Sequence, residues 1–146
     1  MYGKRFHLFK PMFLCYTKNT YERTAARRPL MFRPFSIKDL DAIMQIWLEG
    51  NLDAHPFIPP DYWLSREDLV RSLLPRAKIL VWESKGSVRG FAGMQDRYLA
   101  GIFVERGFRS QGIGRELFQQ LKASYPSFQL NVYEKNQKAL NFYIKN

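Results

Sequence analysis

The spacing of apolar and polar residues along the chain predicts an alternation of helices and strands. A short strand is expected at 30–35, where Pro34 restricts it to the edge or the end of a sheet. From Ser36 to Gly50, apolar residues then recur every three or four positions, which is the spacing of an amphipathic helix. These apolar residues are Leu40, Ile43, Met44, Trp47 and Leu48. Ser36 is expected to cap the start of this helix and Gly50 to end it.

Prolines and strand-like runs organise the rest of the chain. Three prolines in 51–63 predict a loop, because proline disrupts regular backbone hydrogen bonding, and a second helix is expected at 65–74. The further predicted elements are strands at 77–84, 88–95 and 98–104, a helix at 112–124, a strand at 128–133 and a helix at 136–145.

The order of these elements predicts a mixed sheet. A strand, a helix and a strand follow one another in 98–133, so the two strands should be parallel with a right-handed crossover. The two strands before this unit are joined by a short turn at Gly86 and should form an antiparallel hairpin. The expected fold class is therefore α+β (mixed α/β), a sheet flanked by helices.

Composition indicates one domain with a basic extension. The 146 residues are 46% hydrophobic and carry a net charge of +10, which suits polyanionic partners. Residues 1–30 hold seven Lys and Arg against one Glu, a net +6, whereas 31–146 hold sixteen against twelve acids, a net +4. Since the charge is concentrated in 1–30, we expect this extension to lie outside the fold, and we do not expect 31–146 to bind nucleic acid.

A single cysteine, Cys15, permits neither an internal disulfide nor a cysteine-based metal site. This usage fits a reducing compartment, and the expected location is the cytoplasm. No apolar run reaches the roughly 18 residues that span a bilayer, so no membrane partner is expected. The arginine bias of the first residues leaves an organellar transit peptide as an alternative.

The stretch RSQGIGR at 109–115 lies between a predicted buried strand and a predicted helix. Amides at such a helix start can bind anions, and glycines allow close approach of the backbone. A Walker loop is excluded, because Arg115 and Glu116 stand where that motif has Lys and Ser or Thr. A dinucleotide fingerprint is excluded as well, because Leu117 occupies its third glycine position. From these residues alone, an ordinary strand-to-helix turn is equally acceptable.

RSQGIG is similar to the Q/R-x-x-G-x-G/A signature of the GCN5-related N-acetyltransferases, the GNAT family. GIFVERGFRSQGIGRELF and VYEKNQKALNFY resemble this family's fourth strand to third helix and its fifth strand to fourth helix. The shorter pieces IWLEG, HPFI and YW extend the resemblance to small bacterial members of the family. The match runs from Met31 to about Tyr143, and the predicted element order is also that of the family.

The resemblance implies a binding site for acetyl-CoA, the acyl donor. No metal is expected, because the two histidines are far apart and the sequence has no set of cysteines. The backbone of Ile102, Phe103 and Val104 would pair with the pantetheine arm and the acetyl group. The loop that would hold the pyrophosphate consists of Arg109, Ser110, Gln111, Gly112, Ile113, Gly114 and Arg115. Asn136 would contact the cofactor and Tyr143 would protonate the departing thiolate; seven residues apart on one helix, they share a face.

The resemblance also implies direct transfer of the acetyl group to a primary amine, with a protein lysine or N-terminus as the expected acceptor. The expected acceptor-binding residues are His55, Phe57, Tyr62 and Trp63, and His55 is also a candidate base. From the residues alone, Tyr143 and the three acceptor-side aromatics could equally be packed core residues. Asn136 could be a plain helix cap. Tyr98 and Glu134 are weaker candidates.

Two departures from the family pattern bear on activity. Asn131 occupies a position where related enzymes often carry Glu, and an amide cannot act as a base. The family pattern continues with a Gly-Phe turn and two strands, whereas this sequence stops at Asn146. We therefore expect the strand at 128–133 to have an unpaired edge. A CoA-binding remnant without turnover is the alternative hypothesis, and a basic nucleic-acid module is a third.

Overall fold

The computed structural model describes residues 11–17 and 31–146, and within these ranges six strands form one sheet. The strands are β1 (Pro11–Thr17), β2 (Phe32–Pro34), β3 (Lys78–Ser84), β4 (Ser87–Gln95), β5 (Tyr98–Val104) and β6 (Ser127–Tyr133). They lie in the order β1-β6-β5-β4-β3-β2. Among them β5 and β6 pair in parallel and the other neighbours pair antiparallel, which confirms the predicted mixed sheet.

Helices cover both faces of the sheet. They are α1 (Leu40–Ala54), α2 (Pro60–Leu64), α3 (Glu67–Leu73), α4 (Ile113–Ser124) and α5 (Gln137–Lys145). One core packs α1 to α3 against the sheet around Ile43, Val81 and Phe91. The other packs α4 and α5 around Leu117 and Phe128 on the opposite face. This arrangement confirms the α+β (mixed α/β) prediction, because each face of the sheet buries its apolar side chains under helices.

The expectation that the basic extension lies outside the fold is wrong for 11–17. This segment forms β1 and pairs with β6 along seven residues, from Pro11 opposite Tyr133 to Thr17 opposite Ser127. The ring of Tyr16 lies 4.9 Å from that of Phe128, so β1 also contributes to the core. Apolar residues suited to a strand thus occupy the edge that was expected to be unpaired. Residues 1–10 and 18–30 lie outside the described part of the chain.

Two predicted boundaries near α1 are also wrong. The helix continues through Gly50 to Ala54, and a Cβ at Gly50 would lie 2.9 Å from the ring of Phe103. This glycine therefore allows the helix to approach the sheet closely rather than ending it. The predicted loop contains a short helix, Pro60–Leu64, because a proline in the first turn needs no intrahelical donor.

The buried carboxylate of Asp39, directly before α1, binds Arg33 of β2 and so joins this strand to the helix. Asp39 accepts hydrogen bonds from Arg33 at 2.7 and 2.9 Å and from the Ser36 amide at 2.8 Å. The Arg33 guanidinium holds the pKa of Asp39 below its usual value, although burial opposes this shift. Ser36, expected at the helix start, thus forms a capping box with Asp39 there.

Candidate active site

A cleft opens in the sheet between β5 and β6. In the described chain these strands pair through Tyr98 with Gln129 and Leu99 with Leu130, and no pairing between them follows. On its other side β5 stays paired with β4 as far as Val104. The second half of β5 therefore presents unpaired backbone groups toward β6.

The direction of these backbone groups follows from antiparallel alternation. The Glu105 amide donates to the Arg89 carbonyl at 2.7 Å, so Phe103 and Gly101 also direct their amides toward β4. The amides of Ile102 and Val104 must then face the cleft. The three residues of the predicted strand site thus differ: Ile102 and Val104 direct their amides to the cleft, whereas Phe103 stacks its ring on Phe91 at 5.1 Å.

Tyr143 lies at this cleft on α5, between the helix and β5. Its hydroxyl oxygen accepts a hydrogen bond from the backbone amide of Ile102. Its ring meets that of Phe118, with the ring centres 5.3 Å apart. Burial raises the pKa of Tyr143 above the usual value for a phenol, and the bond with Ile102 only partly offsets this. The side chain is therefore protonated at neutral pH and is able to donate a proton beside β5.

The glycine loop forms a cradle at the start of α4. Ser110 and Gly112 have φ angles of 62° and 88°, and the helix begins at Ile113. Loop and helix border a cavity of about 420 Å³. Its lining includes Ser110, Gly112, Ile113, Gly114, Arg115, Phe142 and Lys145. Backbone amides at a helix start beside three cations, Arg109, Arg115 and Lys145, make a suitable anion site.

Gly114 has no structural requirement for glycine. Its φ is not positive, and a Cβ there would make ordinary contacts of 3.7 Å with Phe142 and 3.8 Å with Val104. Gly112 differs, because its φ of 88° disfavours any side chain. A glycine that neither backbone nor packing demands fits a site where a ligand approaches the main chain, so the loop fits an anionic group.

Arg109 lines the same cavity, and its side chain also holds the loop in place. Its guanidinium donates to the Val104 carbonyl at 3.0 Å and to Asp53 at 2.7 Å. Asp53, near the end of α1, also accepts from Arg106 at 2.9 Å. Arg106, followed by Arg109, holds the pKa of Asp53 below its usual value. Sequence reasoning missed Lys145 at the cavity; its position in the last turn of the helix that carries Tyr143 was the available signal.

Asn136 caps α5 and also contacts His55. Its Oδ1 accepts from the Ala139 amide at 3.2 Å, and its Nδ2 lies 3.4 Å from His55 Nε2. The structure therefore joins a predicted cofactor residue to a predicted acceptor residue. His55 Nδ1 in turn lies 3.0 Å from the carbonyl of Asn51. Both ring nitrogens of His55 thus have partners.

The predicted acceptor residues gather on the α1 face of the sheet. Trp63 is buried, and Phe57 and Tyr62 pack beside it against the same core. Tyr62 also forms a hydrogen bond with Tyr133, a residue that sequence reasoning missed. Burial, more than the charge of Tyr62, raises the pKa of Tyr133 to about 12. These aromatic residues therefore pack in the core and also form a wall of rings, so both alternatives from the sequence remain compatible with the structure.

Position 131, where related enzymes often carry Glu, has no side chain that can act as a general base. Asn131 is exposed on β6 and forms a hydrogen bond with Tyr98. Burial raises the pKa of Tyr98, so this phenol is a poor base at neutral pH. Glu134 is exposed, and its backbone carbonyl accepts from Gln137 at 2.6 Å.

The described residues contain neither a metal-binding cluster nor a membrane-spanning helix. No group of three or more His, Cys, Asp and Glu side chains there could hold a metal ion. Among the helices of 11–17 and 31–146, none is long and apolar enough to cross a membrane.

The fold, the splayed strands and the glycine cradle are those of an acetyltransferase. Residues 40–145 match the acetyltransferase (GNAT) family, and the chain belongs to this family. It is 41% identical over 115 residues to peptidyl-lysine N-acetyltransferase YiaC of Escherichia coli (strain K12), covering 77% of this chain and 79% of that protein. It is 30% identical over 106 residues to peptidyl-lysine N-acetyltransferase YjaB of the same strain, covering 72% of each.

Solved structures support the same assignment. The solution structure of apo-form YjaB from Escherichia coli matches with a TM-score of 0.70 and 29% identity over 78% of each chain. The PaiA N-acetyltransferase from Thermoplasma acidophilum, in complex with coenzyme A, matches with a TM-score of 0.66 and 18% identity. This match covers 79% of this chain and 86% of that one, and at such identity it shows the shared fold.

Proposed function

We propose that this chain transfers an acetyl group from acetyl-CoA directly to the side-chain amine of a protein lysine. The observation that carries the proposal is the meeting of Tyr143 with the Ile102 backbone at the cleft between β5 and β6. A hydrogen-bond donor for a carbonyl oxygen and a proton donor for a leaving group thus lie together. Acyl transfer from a thioester needs both.

The donor would be anchored by its phosphates. Amides of the loop from Ser110 to Arg115 would accept the pyrophosphate at the start of α4, where the helix dipole favours negative charge. Arg109, Arg115 and Lys145 line the same cavity and would add positive charge. Arg109 would also act indirectly, because its contacts with Val104 and Asp53 fix the loop.

Acetyl-CoA supplies an activated acyl group, a thioester, and the protein positions and polarises it. The Ile102 amide, which donates to the Tyr143 hydroxyl in this structure, would exchange that bond for one with the carbonyl oxygen as negative charge develops there. Tyr143 would deliver its proton to the sulfur that leaves. The raised pKa of Tyr143 suits this role, because the phenol keeps its proton until a strong base forms nearby.

The proton of the acceptor ammonium would pass to water. Asn131 cannot accept it, and the phenols of Tyr98 and Tyr133 have raised pKa values. Both nitrogens of His55 already have partners. Proximity of the amine to the polarised carbonyl would supply most of the catalysis. Turnover should therefore rise with pH as more of the acceptor is unprotonated.

A lysine acceptor is supported by the two relatives named peptidyl-lysine N-acetyltransferases and by the acceptor side of the cleft. Aromatic rings there already hold cations: Arg66 lies 3.8 Å above the ring of Tyr62, and Lys135 lies 5.8 Å from that of Phe57. Such rings suit both the apolar stem and the charged head of a lysine.

The proposed catalytic domain consists of residues 31–146, with β1 added to its sheet. The proposed location of the protein is the cytoplasm. Cys15 is free and exposed, which is usual in a reducing compartment.

Two measurements test the function. Calorimetry should detect binding of acetyl-CoA, and a thiol-release assay over a panel of lysine peptides should detect turnover. Absence of binding by the folded protein would contradict the proposal. Binding without turnover on any peptide, free amine or protein N-terminus would favour the CoA-binding remnant instead.

A further inference from the structure

His55 lies in a box of aromatic rings at the end of α1. Its imidazole stacks on Trp63 with the ring centres 5.0 Å apart, and it meets the rings of Tyr133 at 5.1 Å and Phe57 at 5.7 Å edge to face. Burial lowers the pKa of His55. The ring is thus held in one orientation in surroundings that favour its neutral form.

A one-directional chain of hydrogen bonds runs through this ring. The Asn51 carbonyl can only accept, so His55 Nδ1 must carry the proton. The Nε2 atom then has a lone pair and accepts from Asn136 Nδ2 at 3.4 Å. Asn136 Oδ1 is thereby left to accept from the Ala139 amide. Each group has one role, and each role depends on the tautomer of His55.

We infer that His55 is a positioning residue: in its Nδ1-protonated neutral form it fixes the amide of Asn136 and thereby the start of α5, the helix that carries Tyr143. The inference rests on the proposed function for its kinetic consequence. This role differs from that of a general base for the acceptor amine, since the Nε2 lone pair is directed at Asn136.

Protonation of His55 would break the chain. A protonated Nε2 would face the Nδ2 hydrogens of Asn136, two donors without an acceptor. Rotating the amide would present Oδ1 to His55 but would turn the NH₂ group toward the Ala139 amide, so the helix cap would be lost. One of the two bonds fails in either arrangement.

The groups around this site favour the neutral ring. The titratable and charged side chains in the neighbouring segments 49–66 and 133–138 are Glu49, Asp53, Asp61, Tyr62, Arg66, Tyr133, Glu134, Lys135 and Lys138. Asp53 is bound to Arg106 and Arg109. Lys135 lies over the ring of Phe57, and Arg66 lies over that of Tyr62, which meets Trp63 edge to face; both positive charges oppose an imidazolium. Glu134 is exposed.

Nuclear magnetic resonance tests the inference without any need for turnover. The sequence has two histidines, so His7→Gln leaves the His55 signal alone. We expect the Nδ1-protonated tautomer and a pKa of His55 below 6.5. Asn136→Asp should raise that pKa by at least about one pH unit, because a carboxylate would attract the imidazolium. A proton on Nε2, or an unchanged pKa in Asn136→Asp, overturns the inference.

Two His55 variants test the kinetic consequence at saturating acceptor. His55→Gln offers an amide oxygen but does not titrate, whereas His55→Phe keeps the ring but offers no acceptor. At pH 8 the Gln variant should have a kcat at least about threefold above that of the Phe variant. Below pH 6.5 its kcat should fall less steeply than that of the wild type, because protonation of the acceptor affects both enzymes but titration of His55 affects only the wild type. Equal kcat for the Phe variant and the wild type, or an equally steep fall in the Gln variant and the wild type, overturns the inference. Absent turnover in all forms would count against the proposed function alone, because the resonance test is independent of it.

Discussion

Substitution of Gly114 by Ala should separate ligand binding from folding. Gly114 is the second residue of α4 and lines the cavity. A methyl group there would meet Phe142 at 3.7 Å and Val104 at 3.8 Å, both ordinary contacts. Alanine is the better helix former by up to about 1 kcal/mol. We therefore expect Gly114→Ala to raise Tm by about 2–4 °C.

The same methyl group should weaken donor binding. It would stand beside the amides proposed to meet the pyrophosphate, and a lost hydrogen bond to a charged group costs about 1.5–3 kcal/mol. The Kd for acetyl-CoA should rise roughly ten- to hundredfold. Calorimetric titration and thermal unfolding of the same samples measure the two effects side by side.

Two matched glycine variants control this experiment. Gly107→Ala makes the same change outside the cavity lining, where a Cβ would have open space and φ is not positive. Its Kd should stay within about twofold of the wild type. Gly112→Ala should instead lose stability, because its φ is 88°. A Kd for Gly114→Ala within twofold of the wild type would refute the pyrophosphate cradle, and a lowered Tm would refute the packing argument.

The remaining predictions concern Tyr143, Asp39 and β1. Tyr143→Phe should lower kcat at least tenfold, measured by stopped-flow, because it removes a proton donor. The Kd of acetyl-CoA, measured by calorimetry, should stay within about threefold of the wild type, because the ring is kept. An unchanged kcat would exclude the role of Tyr143 as the acid. Asp39→Asn should destabilise the protein at neutral pH by about 1.5–3 kcal/mol in urea unfolding, because it weakens charged hydrogen bonds. Arg33 lowers the folded-state pKa of Asp39. The difference in free energy of unfolding between the wild type and Asp39→Asn should therefore be full above about pH 4 and should decline as the pH falls through that lowered pKa. A difference independent of pH would contradict the ion pair between Asp39 and Arg33. Removal of residues 1–17 should lower Tm and increase light scattering, because β6 would lose its antiparallel partner; equal Tm and scattering would show that β1 does not stabilise the sheet.

Local patterns were sufficient to predict most elements of the sheet and helices. The parallel pairing of β5 and β6 followed from the strand–helix–strand order, because a crossover helix returns the chain in the same direction. Asn136 was predicted to cap α5, and its Oδ1 does so. These features depend on residues close together in sequence, where propensity and periodicity are informative.

Features that depend on distant residues were mispredicted or missed. Gly50 was expected to end α1, but its purpose is visible only once Phe103 lies against it. The phosphate contact of Arg109 stays a prediction, whereas its bond to Asp53, 56 positions away, had no local signal in the sequence. Tyr133 and Lys145 had no motif of their own to single them out.

The sequence by itself determined the order of the elements, the family and the loop that turns into α4. The tertiary structure alone decided that residues 11–17 pair with β6, that the Ile102 amide faces the cleft beside Tyr143, and that His55 meets Asn136 across 81 positions. The physical reason is that pattern and propensity act over a few neighbouring residues. The direction of an amide in a sheet, or the tautomer of an imidazole, is instead set by whichever partner the folded chain brings within hydrogen-bond distance.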